Sequence, residues 1–255
     1  MRIAVAGSTG AVGSHAVQLA TLGGHDVVQI SRKMGVDART GVGLLDALEG
    51  VDVIIDTTNT TTTSRAKATS FFTEVTQRLQ SAGSAQGASR LVTLSILEVD
   101  KVPGFGYYEA KLAHEIAAKT GPLSATIVRA AQFFEFPSQL LSRGSLGPFA
   151  FVPSMRIQPV SARAIAQALV DEATSGGDQE SVVELAGPNV EELTSLARTI
   201  VRSRRRRTVV VPVRIPGQAG KALRGGSLLA SPTTRIVGPS FQEWLDGDGA
   251  VSLKD

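Results

Sequence analysis

The sequence predicts an α/β fold: a doubly wound parallel sheet with helices on both faces, followed by a small C-terminal region. Three observations carry this. Short apolar, β-branched runs alternate with stretches of helical periodicity along most of the chain, the order of strands and crossovers in a parallel sheet. The runs are near-continuously apolar, as in Val53-Ile54-Ile55, which is how strands covered on both faces read. A glycine-rich turn joins the first run to the first helical stretch.

The opening stretch, Met1 to Lys33, reads as strand, turn, helix, strand. Ile3-Ala4-Val5-Ala6 enters Gly7-Ser8-Thr9-Gly10-Ala11-Val12-Gly13, a helix is expected from Ser14 to Leu22, and Val27 to Ile30 runs into Ser31-Arg32-Lys33. Such a unit holds a dinucleotide, because glycines let backbone N–H groups approach the pyrophosphate at the positive end of a helix. The spacing is G-x-x-G-x-x-G, so the signal rests on its context, a strand before and a helix after. Gly7, Ser8, Thr9, Gly10, Ala11, Val12 and Gly13 are therefore candidate cofactor-binding residues. The end of the second strand decides which dinucleotide. A carboxylate there accepts a hydrogen bond from the ribose 2′-hydroxyl of NAD, whereas arginine accommodates the additional phosphate of NADP. Ser31, Arg32 and Lys33 occupy this place and the next carboxylate is Asp37, so NADP is expected over NAD.

After a variable segment, Leu44 to Leu48 reads as a short helix ended by Gly50, and Val51 to Asp56 as a buried strand. That strand empties into the polar run Thr57 to Ser64. In an open parallel sheet the ligand crevice lies outside the carboxyl ends of the strands, so Thr57, Thr58 and Asn59 are candidates for contact with the cofactor; a loop that caps the next helix is the alternative. Ala68, Phe71, Phe72, Val75 and Leu79 recur at helical spacing within Arg65 to Gln80. A small-residue linker, Ser81 to Ser89, is expected next, then a strand over Leu91 to Ser95. Ser95 is expected to face the crevice from the strand's end.

Pro103, Gly104 and Gly106 precede a helix expected to begin near Tyr107. Residues i and i+4 share a helix face, which puts Tyr107 and Lys111 on one side. A cation near a phenol favours the phenolate and draws its pKa down from about 10, so Tyr107 is a candidate acid or base. Tyr108, three residues before Lys111, is assigned to packing or the substrate pocket. A strand over Ser124 to Ala130 leads into Gln132, Phe133, Phe134 and Phe136, which line an apolar substrate pocket or pack in the core. Short strands at Phe149 to Pro153 and Ile157 to Val160 precede a helix over Ala162 to Ala173, a loop over Ser175 to Asp178, a strand over Ser181 to Leu185 and a helix over Val190 to Val201. The whole chain reads as a single domain, residues 1–255: a core over about 1–150 with strands and a helix to about 200, and a lid-like segment over about 201–246. Residues 247–255 are expected to be loosely ordered.

The composition narrows the chemistry. Cysteine is absent, which excludes disulfides, thiolate catalysis and cysteine metal sites. The three histidines, His15, His25 and His114, are widely spaced, so no metal is expected. No apolar run approaches the roughly 18 residues of a membrane span, and the expected location is cytoplasmic. The net charge is only +3. The basic run Arg204-Arg205-Arg206-Arg207 has no interleaved aromatics and reads as a solvated turn, so nucleic acid is not an expected partner.

The chain resembles the short-chain dehydrogenase/reductases, and within them the atypical NmrA-like, NAD(P)H-binding members described as nucleoside-diphosphate-sugar epimerase-like. The resemblance rests on Gly7, Gly10 and Gly13, on Ser95, on Tyr107 and Lys111 in GYYEAKLAHE, and on RIQPVSARAIAQAL, Arg156 to Leu169. It covers residue 1 to about residue 200, with a looser match in GPSFQEWL, Gly238 to Leu245. It implies a Rossmann-type fold, Tyr107 as proton donor or acceptor, Ser95 orienting the substrate oxygen, and Lys111 binding the nicotinamide ribose and lowering the tyrosine pKa. Ala130-Ala131 stands where such proteins often carry a Pro-Gly pair beside the nicotinamide. The expected function is NADP-dependent oxidoreduction of a small carbonyl, alcohol or quinone-like substrate. The alternatives are a non-catalytic NADP(H)-sensing regulator and a nucleotide-sugar epimerase, the latter weakened by a short C-terminal region. Oligomeric state is left open.

Overall fold

A computed structural model of the chain describes residues 1–62, 64–175 and 181–247. The expectations for residues 176–178 and 248–255 lie outside the described residues. In chain order the elements are β1 (Arg2–Ala6), α1 (Ala11–Leu22), β2 (Asp26–Ile30), α2 (Leu44–Ala47), β3 (Val53–Asp56), α3 (Arg65–Ala85), β4 (Arg90–Ile96), α4 (Gly106–Lys119), β5 (Ser124–Ala130), α5 (Phe136–Arg143), β6 (Ser145–Leu146), β7 (Phe149–Pro153), β8 (Arg156–Ile157), α6 (Ala162–Thr174), β9 (Ser181–Ala186), β10 (Glu191–Glu192), α7 (Leu193–Ser203), β11 (Val209–Val213), α8 (Gly217–Gly225), β12 (Arg235–Ile236) and α9 (Phe241–Asp246).

Seven of these strands form one sheet in the order β12-β9-β5-β4-β3-β1-β2, and every pairing in it is parallel. From β1 the chain moves outward to β2 and then returns to β3 on the other side. That reversal places the topological switch point between β1 and β3, where open α/β sheets form their ligand crevice. Successive strand residues point to opposite faces, and both faces are covered. Ile3, Val5, Val53 and Ile55 pack with residues of α1 and α6, while Ala4, Ala6 and Ile54 pack with Val75 and Leu79 of α3 and Ala118 of α4. Two-sided burial is the reason the strands read as apolar runs.

The helices depart from expectation most clearly at α3 and α5. α3 continues to Ala85, through much of the stretch expected as a linker. Its small residues have a packing role there: a Cβ on Gly83 would meet Ile54 Cδ1 at 2.6 Å and Leu123 Cδ1 at 3.0 Å, so glycine lets the helix lie against the sheet. Phe136, expected in a pocket wall or the core, opens α5, with Pro137 in the first turn of the helix, where its missing N–H costs nothing. A second core lies away from the sheet, built from Ala150 and Val152 of β7, Leu196 and Ile200 of α7, Leu223 of α8 and Trp244 of α9. It draws residues from both sides of the expected boundary near 201. Among the described residues no helix is long and apolar enough to cross a membrane.

Candidate functional site

The turn after β1 is shaped by its glycines. Gly7 has φ +79°, a left-handed conformation that side chains disfavour, and a Cβ there would lie 2.9 Å from the Thr57 backbone. A Cβ on Gly13 would overlap the Gly7 carbonyl oxygen and Thr57 Oγ1. Gly10 is the N-cap of α1 and supplies no side-chain cap, so the first turn of the helix keeps its backbone donors and positive end for a ligand. Ser8 is buried, with Oγ 3.5 Å from the Ile30 carbonyl. Thr9 and Ala11 are exposed, and Val12 is buried in the core.

At the end of β2, Ser31 is the N-cap of a short 3-10 turn, Arg32–Met34. Its Oγ is buried and has no hydrogen-bond partner, while Arg32 and Lys33 are exposed. An unsatisfied buried hydroxyl is uncommon and costly, and a ligand oxygen would satisfy it. Ser31 and the glycine cradle thus fit the dinucleotide anticipated at this position.

The β3 end and helix α4 hold the residues expected to do chemistry, in an arrangement that differs from expectation. Thr57 points into the protein and donates to the Ala6 carbonyl at 2.8 Å. It braces the glycine turn from below and is not presented to the crevice. Thr58 donates through both its backbone N (2.8 Å) and its Oγ1 (2.6 Å) to Asp56 Oδ1. Asn59 Oδ1 accepts from the Tyr107 hydroxyl at 2.6 Å. Lys111 lies on the same helix as Tyr107 as anticipated, but its Nζ donates to the Leu94 carbonyl at 2.7 Å and sits 2.9 Å from His114 Nδ1. His114 Nε2 in turn is 3.0 Å from Asp56 Oδ2. Phe72 of α3 lies among these groups: Lys111 Nζ is 4.5 Å from the ring centroid, the His114 ring stacks at 4.8 Å and the Tyr107 ring is edge-on at 6.0 Å.

The electrostatics correct one expectation. Burial pushes the Tyr107 phenol up to about 12, opposed only by its hydrogen bond to Asn59. Lys111 does not draw it down, because the lysine chain reaches past the phenol to deeper acceptors. Burial lowers Lys111 itself to about 8, against the attraction of Asp56 and Glu115. Burial alone would raise the Asp56 carboxyl, but hydrogen bonds from His114 and Thr58 outweigh it and hold the group below the ordinary carboxylate value. Tyr108 is buried, its phenol shifted well upward by burial and then by the neighbouring Tyr107, and it packs on Phe105 at 4.7 Å.

Ser95 also differs from expectation. It is 3% exposed and donates to Glu115 Oε1 at 2.5 Å; Glu115 receives Arg129 at 3.0 and 2.8 Å. Strand parity is the reason. Leu91 faces α3 and α4, so Ser95, four residues on, points under α4. The hydroxyl is committed to a buried ion pair and is not free at the crevice.

Beyond β5, Phe134 is 1% exposed and packs edge-on against Phe241 and tilted against Trp244, with ring centroids at 5.4 and 5.3 Å. It is a core residue and not a pocket lining. Phe133 is partly buried and bridges to Val160. Gln132 Oε1, Glu135 Oε2 and Ser138 Oγ are all buried without partners, and burial raises the Glu135 carboxyl. Three unsatisfied polar atoms in seven residues mark this segment as polar where the phenylalanines suggested an apolar wall. Sequence reading missed Glu135, Ser138, Asp56 and His114. The one sequence signal for His114 is its spacing from Lys111, three residues on one helix face, which the structure turns into the 2.9 Å contact. Among the described residues no cluster of three or more histidine, aspartate or glutamate side chains is placed to hold a metal.

No protein-family model matches the chain, and no curated protein sequence matches it. Solved structures do. A short-chain dehydrogenase/reductase superfamily protein from Agrobacterium tumefaciens with bound NAD superposes with TM-score 0.70 at 17% identity, covering 99% of this chain and 97% of that one. A UDP-N-acetylglucosamine 4-epimerase from Bacillus cereus gives TM-score 0.70 at 17% identity over 100% of this chain and 97% of the other. An NADPH-dependent quinone oxidoreductase from Escherichia coli gives 0.64 at 16% over 96% and 98%. At this identity the likeness establishes the Rossmann-type fold over the whole chain.

Proposed function

We propose that the protein is an NADP-dependent oxidoreductase of the short-chain dehydrogenase/reductase type, acting on a small carbonyl, alcohol or quinone-like substrate. The observation that carries this is the shared origin of two supports. The segment Asp56 to Asn59 leaves the switch point beside the glycine turn and holds Tyr107 through Asn59 and Lys111 through Asp56 and His114. This ties a candidate proton donor and a candidate cation to the end of β3, whose Thr57 N–H bonds the Ala6 carbonyl just before the glycine turn, and it supports the reading. The solved structures of the same fold with NAD or NADPH in their names support the cofactor class.

Gly7 to Gly13 would hold the pyrophosphate, and Ser31, Arg32 and Lys33 the 2′-phosphate. When bound, the reduced dinucleotide supplies a hydride. The protein supplies the proton: a phenol held near 12 by burial stays protonated at neutral pH, so Tyr107 enters reduction as an acid. Its Oη proton, now donated to Asn59 Oδ1, passes to the substrate oxygen as negative charge develops there. Lys111, on the same helix, is held by the Leu94 carbonyl and His114. Ser95 takes no part, because its hydroxyl is held by Glu115.

The purified protein with NADPH and a panel of quinones and carbonyls tests this. Turnover is expected, falling about 10² to 10⁴-fold in Tyr107→Phe, the usual weight of a positioned acid. Tight NADPH binding without reduction of any panel member, unchanged by Tyr107→Phe, would overturn the catalytic reading. That outcome would support the second reading, a non-catalytic NADP(H)-sensing protein, which the engagement of Ser95 with Glu115 favours.

A further inference from the structure

Behind Lys111 runs a buried chain of side chains that the proton transfer from Tyr107 does not use. Its order is Lys111 Nζ, His114, Asp56, Thr58, with contacts of 2.9, 3.0 and 2.6 Å. His114 and Asp56 are both 0% exposed. The ends of the chain fix its middle. An ammonium only donates and a carboxylate only accepts, so the imidazole between them accepts at Nδ1 and donates from Nε2. That is a single neutral tautomer.

The charges facing this chain come from three elements. β3 contributes Asp56, α4 contributes Lys111 and Glu115, and β5 contributes Arg129, which pairs with Glu115 at 2.8 Å and so offsets its charge. α3 contributes the uncharged ring of Phe72. Asp56 is thus the carboxylate nearest the Lys111–His114 contact whose charge no arginine or lysine neutralises directly. Its attraction opposes the desolvation of the Lys111 ammonium. His114 resists protonation because it is buried and because Lys111 already stands beside it.

We propose that Asp56 and His114 are positioning residues: Asp56 fixes the His114 tautomer, His114 anchors Nζ beneath Leu94, and the Asp56 charge keeps Lys111 an ammonium at the candidate site. This rests on the catalytic reading for its consequence in turnover, where it sets the alkaline limit of activity. It does not rest on that reading for the state of the groups themselves.

Two measurements read those states directly. In wild-type protein, ¹⁵N NMR of labelled histidine is expected to show His114 protonated at Nε2 and bare at Nδ1 from pH 6 to pH 8. A protonated Nδ1, or titration near the ordinary histidine value, overturns the proposal and needs no variant. Asp56→Asn keeps the shape but removes the charge and turns one of the two acceptor oxygens into an amide donor, so the Nζ titration of Lys111 should fall by about 1 pH unit or more, the usual effect of losing a close opposite charge. His114→Gln keeps an amide oxygen for Lys111 and an amide N–H for Asp56, and should shift it less. Equal titration in wild type and Asp56→Asn overturns the charge-holding role. If the protein turns over, the alkaline limb of kcat should move with the Lys111 titration while KM for substrate stays level; a limb that stays fixed overturns the catalytic consequence. If no substrate turns over, the two NMR results still decide the relay, so its failure and that of the functional reading are separable.

Discussion

The glycine turn after β1 and the polar network under α4 start from the paired ends of β1 and β3, where Ala6 lies opposite Asp56, yet they are specified by different means. The turn is a backbone object. Gly7 and Gly13 are required because any Cβ would strike Thr57 or the Gly7 carbonyl, and the ligand groups it offers are main-chain N–H donors that every residue carries. The network is a side-chain object. Asp56, Lys111 and His114 come from β3 and α4, with Asp56 and His114 58 residues apart, and each atom's role depends on the neighbour the fold brings to it. A region built from backbone is readable from a local pattern, and one built from side chains in low dielectric is not.

Breaking the turn should cost most. Gly13→Val drives a branched side chain into the Gly7 carbonyl, and overpacking of this kind costs about 1 to 3 kcal/mol. A shifted urea midpoint together with loss of NADPH binding by calorimetry is the expected result. Wild-type stability would mean that the turn is looser than the close approach implies.

Arg32→Ala sharpens the other side of the crevice mouth. A charge-assisted contact to the 2′-phosphate is worth roughly 1.5 to 3 kcal/mol, so NADPH affinity should weaken about tenfold or more while NADH affinity stays level. Equal affinities of the parent protein for the two dinucleotides would remove the phosphate role from Ser31, Arg32 and Lys33.

The smallest effect isolates the network. Burial lowers the His114 pKa in the fold from its ordinary value of 6.5, so on acidification the unfolded chain takes up a proton that the native state refuses. Stability is then lost as pH falls through and below 6.5, and Asp56, also lowered, adds a further loss below its ordinary value of 3.8. Lys111 acts at the other end: between about 8 and its ordinary value of 10.5, the unfolded state holds the extra proton and stability rises with pH. Unfolding free energies from urea titrations at pH 7 and pH 5 should differ by on the order of 1 kcal/mol more in wild type than in His114→Gln. Parallel pH profiles would show that the histidine is not held neutral.

Much of the fold was legible because burial on both faces of a parallel sheet leaves a mark in every strand. Val53-Ile54-Ile55 could be read as a strand without its neighbours. α3 ran past its expected end because Gly83, which reads as a breaker, is a contact point against Ile54. The site divided in the same way. Helical spacing put Tyr107 and Lys111 on one helix, but the position of Ser95 at a strand end pointed to the crevice, and only strand parity combined with the docking of α4 turns its hydroxyl onto Glu115. Phe134 was open between pocket and core until Phe241 and Trp244, more than a hundred residues later, closed over it.

By itself, then, the sequence determined the parallel sheet, the glycine cradle and the cationic end of β2, because each follows from local periodicity or from residues adjacent in the chain. The tertiary structure alone decided which partner each polar side chain took. Lys111 reaches Leu94 and His114 and not the phenol, Thr57 braces the turn it was expected to border, and Asp56 becomes the counter-charge of a helix it never adjoins in sequence. Those choices follow from desolvation: a buried donor or acceptor takes whichever partner the packed elements deliver within hydrogen-bond reach, and that delivery is a property of the whole fold.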